Sequence, residues 1–276
     1  MTRASLWVAG VLFLCSCREG EQETVVEYDD EGRILVYPTL VSCPTGSEPE
    51  DLRIATWNIA AAQRGPLEGI AEVIQGVDAD VIALQEVDVE TERSGGIDQA
   101  RWLAAEAGYE AVFAEALPTL GGAYGIAVLS RVPVSSVQRR DLRNELSSEP
   151  RIMLDVSVCV GGREVRVVTT HVDYLRDAAE DQVGGMGLEL GEVSNAFLVG
   201  DLNLEPGNDA FAEFLVRTGL GDVFVGRDEG PTRGQRRIDY VLASEDLVGS
   251  IDGASRVESS VSDHHLLVVD VRTQDE

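Results

Sequence analysis

Apolar positions along this chain recur in two rhythms. Short continuous runs such as VIAL, VRVV, FLV, YVLA and LLVV are bounded by turn residues and read as strands. They predict strands over 53–59, 81–87, 111–113, 125–129, 152–160, 164–170, 196–200, 237–243 and 266–271. Spacings of three and four predict helices over 66–77, 97–107, 178–190 and 208–218. Pro66 suits a first helical position, and Gly108 and Gly219 suit helix stops. GGMG (184–187) interrupts the third of these helices. VCVGGREV (158–165) is a hairpin turning at Gly161-Gly162. Nearer the N-terminus, TVVEY–DDEG–RILVY reads either as a second hairpin or as a disordered spacer. Hairpins mixed with βα units predict an α/β (α+β) fold whose sheets are mixed or antiparallel.

One set of polar residues breaks this rhythm. TWNI (56–59), LQEV (84–87), TTHVD (169–173), LVGDLN (198–203), RIDYV (237–241) and SDHHLL (262–267) each put Asn, Glu, Asp or His at the tip of an apolar run. A core has no use for so many carboxylates at its strand ends unless they meet at a metal or a reaction centre. Asn58, Glu86, His171 and Asp201 lie near the C-terminal ends of their strands. Asp239, Asp263 and His264 lie near the starts of theirs. If the last two strands run antiparallel to the others, all seven converge on one edge of the fold.

The donor types point to chemistry. Glu86, Asp263 and the amide oxygen of Asn58 suit a hard cation such as Mg²⁺, which takes oxygen ligands. Asp201 and Asn203 are two apart, so an extended backbone puts them on one face. Of only three histidines in the chain, His171 and His264 belong to the converging set and the third, His265, is adjacent. A carboxylate with a histidine can position or deprotonate water, and a second histidine can steady developing charge. The sum is metal-assisted attack of water on a phosphoester.

Charge and cysteines narrow the setting. The net charge is −27, and every basic residue is arginine. Such acidity disfavours strong non-specific binding to DNA and leaves room for a locally positive site. Arg3 followed by apolar 6–14 reads as an export signal over 1–16, too short to span a bilayer. Leu14-Cys15-Ser16-Cys17 resembles a bacterial lipobox, with Cys17 as the lipid-bearing residue. Arg18 after it suggests the outer membrane by the enteric sorting rule. An acidic tether over 17–51, carrying the hairpin, would then lead to a domain over 52–273. In an oxidising compartment Cys43 and Cys159 could pair or remain two buried thiols. No protein partner is legible.

In this order, TWNI, LQEV, GIAVLSR, THVD, GDLN, RIDYVL and SDHH resemble the endonuclease/exonuclease/phosphatase superfamily, the DNase I-like fold. The resemblance covers roughly 52–273. It implies a four-layer sandwich of two packed sheets with outer helices, and Mg²⁺- or Mn²⁺-dependent hydrolysis of phosphodiesters or phosphomonoesters. Carried over by motif, Glu86 would be the main metal carboxylate, with Asn58 and Asp263 nearby. Asp201 would orient or deprotonate the attacking water, and Asn203 would hold a phosphate oxygen. His264, oriented by Asp239, would contact the scissile phosphate. His171 would stabilise the phosphorane or help protonate the leaving group. Arg93 and Tyr124 are further substrate-binding candidates, Asp173 could brace its loop, and Ile126 stands where many relatives have Asn. The expected activity is an envelope-anchored phosphodiesterase; the alternatives are a non-catalytic binding lipoprotein on the same fold or an envelope nuclease.

Overall fold

A computed structural model of the chain describes residues 25–29, 32–44 and 51–272. The export signal, Cys17 and the first part of the tether lie outside these residues. Eight strands form one sheet: β1 (Val25–Asp29), β2 (Gly32–Val36), β3 (Leu52–Asn58), β4 (Val81–Val89), β5 (Glu110–Thr119), β6 (Gly122–Ser130), β13 (Ile251–Val257) and β14 (Leu266–Val271). Their spatial order is β1-β2-β5-β6-β4-β3-β14-β13. The second sheet has six strands: β7 (Val134–Asp141), β8 (Ile152–Val160), β9 (Arg163–His171), β10 (Ala196–Asp201), β11 (Leu220–Asp222) and β12 (Asp239–Ser244). They lie in the order β11-β12-β10-β9-β8-β7. Both sheets are mixed: β3 and β4 pair in parallel, as do β9 and β10. β14 and β12 run antiparallel to β3 and β10, which is the condition for convergence at one edge.

Three apolar layers hold four structural layers together. Inward-facing residues of both sheets, among them Ile54, Val81, Val167, Phe197, Val199 and Val241, form the core between them. Helices α1 (Leu67–Val77) and α2 (Gln99–Ala107) cover the larger sheet through Ile70, Ile74, Val77, Leu103 and Ala107. On α1, buried Ile70, Ala71, Ile74 and Val77 recur at helical spacing and set its inner face. Helices α3 (Arg176–Leu190) and α4 (Asp209–Thr218) cover the smaller sheet through Val183, Met186, Phe211 and Phe214. Side chains of Asp98 and Asn208 cap α2 and α4 by accepting from Arg101 N and Phe211 N. A four-residue helix, α5 (Glu245–Val248), follows β12.

The structure corrects some expectations and decides between others. α3 runs unbroken through GGMG. A β-carbon on Gly187 would lie 3.2 Å from Phe214 of α4, and one on Gly185 would lie 2.9 Å from the Arg143 side chain. The glycines permit a close approach that offsets their low helix propensity. Strands β7, β11 and β13 had no counterpart in the sequence reading. β7 and β13 are sheet edges with many exposed positions, so their sequences, VSSVQRRD and IDGASRV, lack an apolar run. The N-terminal hairpin is no free spacer: β2 pairs with β5, and Ile34, Leu35 and Val36 are buried. Cys43 and Cys159 form a disulfide.

Candidate active site

Side-chain parity aims the strand-tip residues. In β3, Leu52 and Ile54 face the inter-sheet core while Ala55 and Trp57 face the helices, so Asn58 points inward. The same alternation aims His171, after Val165 and Val167, and Asp201, after Phe197 and Val199. On β12, Asp239 shares the face of Val241 and Ala243. These four residues therefore meet in the gap where the inter-sheet core opens at one edge. Gly200 makes room: its φ is +133°, and a β-carbon there would lie 2.1 Å from Thr170 O.

Glu86 arrives by a different device. Gln85 pairs with Ile126 and Val87 with Gly125, so Glu86 is an extra residue bulged out of β4, with φ +55°. Without the bulge its side chain would enter the layer under the helices. With it, Val87 and Val89 take that layer and Glu86 turns to the edge. Below, buried Gln85 donates to Thr56 Oγ1 and Thr169 Oγ1 (both 3.0 Å), joining the two sheets directly under the site.

Asp201 is the hub. Its Oδ2 accepts from Asn58 Nδ2 at 3.1 Å and faces Nε2 of His171 at 3.5 Å and of His264 at 3.7 Å. Asn58 Nδ2 also donates to Glu86 Oε1 at 3.0 Å, and its Oδ1 accepts from Ala60 N. The Asn58 amide thus bridges the two carboxylates through its nitrogen, whereas the sequence reading had its oxygen as a cation ligand. Asn203 N donates to Asp201 Oδ1, and Asn203 Nδ2 donates to Val172 O, leaving one amide proton for another acceptor. Burial first, then the charge of Asp239, pushes the Asp201 carboxyl well above the usual carboxylate range.

The two histidines are in opposite states. Burial, followed by the charges of Arg151, His264 and Arg233, holds His171 well below the ordinary imidazole range. Burial also opposes protonation of His264, but its hydrogen bonds to Asp239 (2.9 and 3.1 Å) and the charges of Asp239 and Asp201 outweigh it, raising its pKa to about 9. His264 Nε2 is buried with no partner. Because its pKa is raised from 6.5, this group's stabilisation is complete below about 6.5 and is lost as pH rises through about 9. In metal-free protein, NMR is expected to show His264 titrating near 9, and Asp239→Asn to bring that titration below neutrality. Deprotonation of wild-type His264 at or below 6.5 would contradict this.

Asp263 and Arg93 sit at the rim. Asp263, a quarter exposed, receives Arg233 at 2.8 Å, with Arg64 at 3.7 Å. Arg93 is held bidentate on buried Asp88 (2.6 and 2.7 Å) with its guanidinium over the Tyr124 ring. Asp173 is buried and braces its loop through Ser147, Ser148 and Leu175 N. His265 turns away from the cluster and accepts from Ser259 N.

These groups could seat a cation. Asp201, Asp239 and His264 could hold a metal ion, with ligand atoms within 4.8 Å of one another. His264 could join only without its Nε2 proton, since its Nδ1 is taken by Asp239. While His264 is protonated, the oxygens of Glu86 and Asp201, brought together by Asn58, are the donors that suit a hard ion.

Comparison with known proteins gives the family and the fold. The sequence profile of the Endonuclease/Exonuclease/phosphatase family matches residues 55–264. An endonuclease/exonuclease/phosphatase of Beutenbergia cavernae is 25% identical with a TM-score of 0.65, over 80% of this chain and 71% of that one. A mannosyl-6-phosphatase of Bacteroides thetaiotaomicron is 18% identical (TM-score 0.62; 79% and 98% covered). The catalytic domain of human Nocturnin, with a bound sulfate anion, is 19% identical (TM-score 0.61; 80% and 93% covered). No curated protein sequence matches the chain.

Proposed function

The chain belongs to the endonuclease/exonuclease/phosphatase family, whose members hydrolyse phosphoester bonds, and from that premise we infer that it is a divalent-metal-dependent phosphoester hydrolase, acting as a phosphodiesterase. The observation that carries the reading is the meeting of Asn58, Glu86, His171, Asp201, Asp239 and His264 at one buried edge. Mg²⁺ or Mn²⁺, when bound, would polarise the phosphoryl oxygen and neutralise charge developing on it. Glu86 would be its main ligand, with Asn58 and Asp263 nearby.

The remaining steps fall to the chain's own groups. Asp201, with its proton affinity raised by burial, orients the attacking water and takes its proton. Asn203 uses its remaining amide proton on a phosphate oxygen. His264, kept protonated by Asp239, offers its partnerless Nε2–H to another. His171 faces the same space from the opposite side of Asp201. Arg233 lies close enough for its charge to act on Asp201, Glu86 and both histidines, supplying positive potential in an otherwise acidic protein.

Export and lipid anchoring through Cys17 complete the proposal and would place the site at an envelope membrane, in the outer membrane or periplasm or at the cell surface. The disulfide supports an oxidising compartment. The purified protein is expected to cleave a chromogenic phosphodiester or monoester, plasmid DNA, an oligonucleotide or sphingomyelin with Mg²⁺ or Mn²⁺. EDTA or His171→Ala should abolish that turnover. A folded protein with neither turnover nor carboxylate-dependent metal binding would instead be a non-catalytic binding lipoprotein.

A further inference from the structure

We propose that Arg151 is a positioning residue that locks His171 as its Nε2–H tautomer, so that His171 acts as a fixed hydrogen-bond donor at the reaction edge and not as a proton shuttle. The proposal rests on the phosphohydrolase reading above and assigns its second histidine a single role. The argument is one of donors and acceptors. Arg151 Nη1 lies 3.2 Å from His171 Nδ1. A guanidinium has only N–H groups to offer, so Nδ1 must present its lone pair. A neutral imidazole then carries its proton on Nε2, the atom facing Asp201 Oδ2 at 3.5 Å.

Ile126 lines the same small cavity as Arg151, His171 and Tyr124, and it offers nothing polar to Nδ1. Tyr124 lines that cavity as well, with the Arg151 charge acting on its hydroxyl. Arg151 is itself 5% exposed, with Glu149 at 3.5 Å from Nη2 and Nε buried without a partner. A cation enclosed in this way cannot swing off, so its lone-pair partner cannot take up a proton at Nδ1 without meeting a fixed N–H. The side-chain sequence Arg151–His171–Asp201 is thus polarised in one direction, toward the space where phosphate oxygens would lie.

The test uses full-length, EDTA-treated protein and reads the ¹⁵N signature of His171 at neutral pH, which needs no turnover. Wild type is expected to show a protonated Nε2 and a bare Nδ1. Arg151→Met, which keeps bulk and removes every donor, is expected to shift the signature away from that single form, and Arg151→Lys to retain it. With whichever phosphoester is turned over, Arg151→Met should lower kcat by about 10- to 100-fold with KM changed much less. If Arg151→Met does not fold, the wild-type and Arg151→Lys signatures decide alone. A wild-type proton on Nδ1, a doubly protonated wild-type ring, or an unchanged signature and kcat in folded Arg151→Met would overturn the proposal. Failure of all substrates with the expected signature intact would instead count against the hydrolase reading.

Discussion

Glu86→Gln is expected to lower metal-dependent turnover about a thousandfold, the kinetic equivalent of the several kcal/mol that a bound cation supplies to developing charge. The melting temperature in EDTA should stay within about 2 °C of wild type. Two facts separate the effects. Glu86 stands on a bulge, outside the ladder between β4 and β6, so no backbone pairing depends on its side chain. In metal-free protein the Asn58 amide donates to both Glu86 and Asp201, and a glutamine keeps an amide oxygen that can accept the same bond. Isothermal calorimetry with Mg²⁺ or Mn²⁺ should show the high-affinity site lost in the variant. Wild-type turnover and metal binding in Glu86→Gln would remove Glu86 from the metal set and leave Asp201, Asp239 and His264 as the seat.

Much of this site was legible because strand parity is simple. In VRVVTTH and AFLVGD the apolar residues that fill the inter-sheet core alternate in step with His171 and Asp201. The pattern therefore aims the polar tip as well as naming it. Glu86 was legible as a residue but not as a geometry: strict alternation puts it under the helices, and only a bulge opposite Gly125 reverses that. Arg151 was not legible at all. It follows Pro150 in a loop with no periodicity, and its meaning arises only because β8 lies beside β9 and sets its guanidinium next to His171. Gln85 was hidden for the opposite reason. Inside LQEV it reads as one more polar neighbour of Glu86, yet it points down into the core and ties the sheets together. Edge strands such as β7 escape notice because a half-exposed strand needs few apolar residues.

Replacing Cys43 and Cys159 together by serine is expected to lower the melting temperature by about 10–20 °C, from about 5 kcal/mol of lost stabilisation. The magnitude comes from the 116-residue separation that the bond closes. The bond also has a structural purpose. The segment after β2, on the larger sheet, crosses to the smaller one, where Val41 N donates to Val134 O of β7 and Cys43 joins Cys159 of β8. The disulfide therefore fastens the two sheets from outside, complementing the Gln85–Thr169 contact that joins them from within. Arg151 precedes β8 at the site edge and Cys159 lies near its far end, a distance of about 25 Å along an extended strand. The serine variant should accordingly keep wild-type kcat at temperatures well below its melting point, while losing activity sooner on heating. An unchanged melting temperature would mean that the sheets hold without the bond. A fall in kcat at low temperature would mean that the site edge depends on the far end of the sandwich, which neither the parity of β8 nor the contacts around His171 lead one to expect.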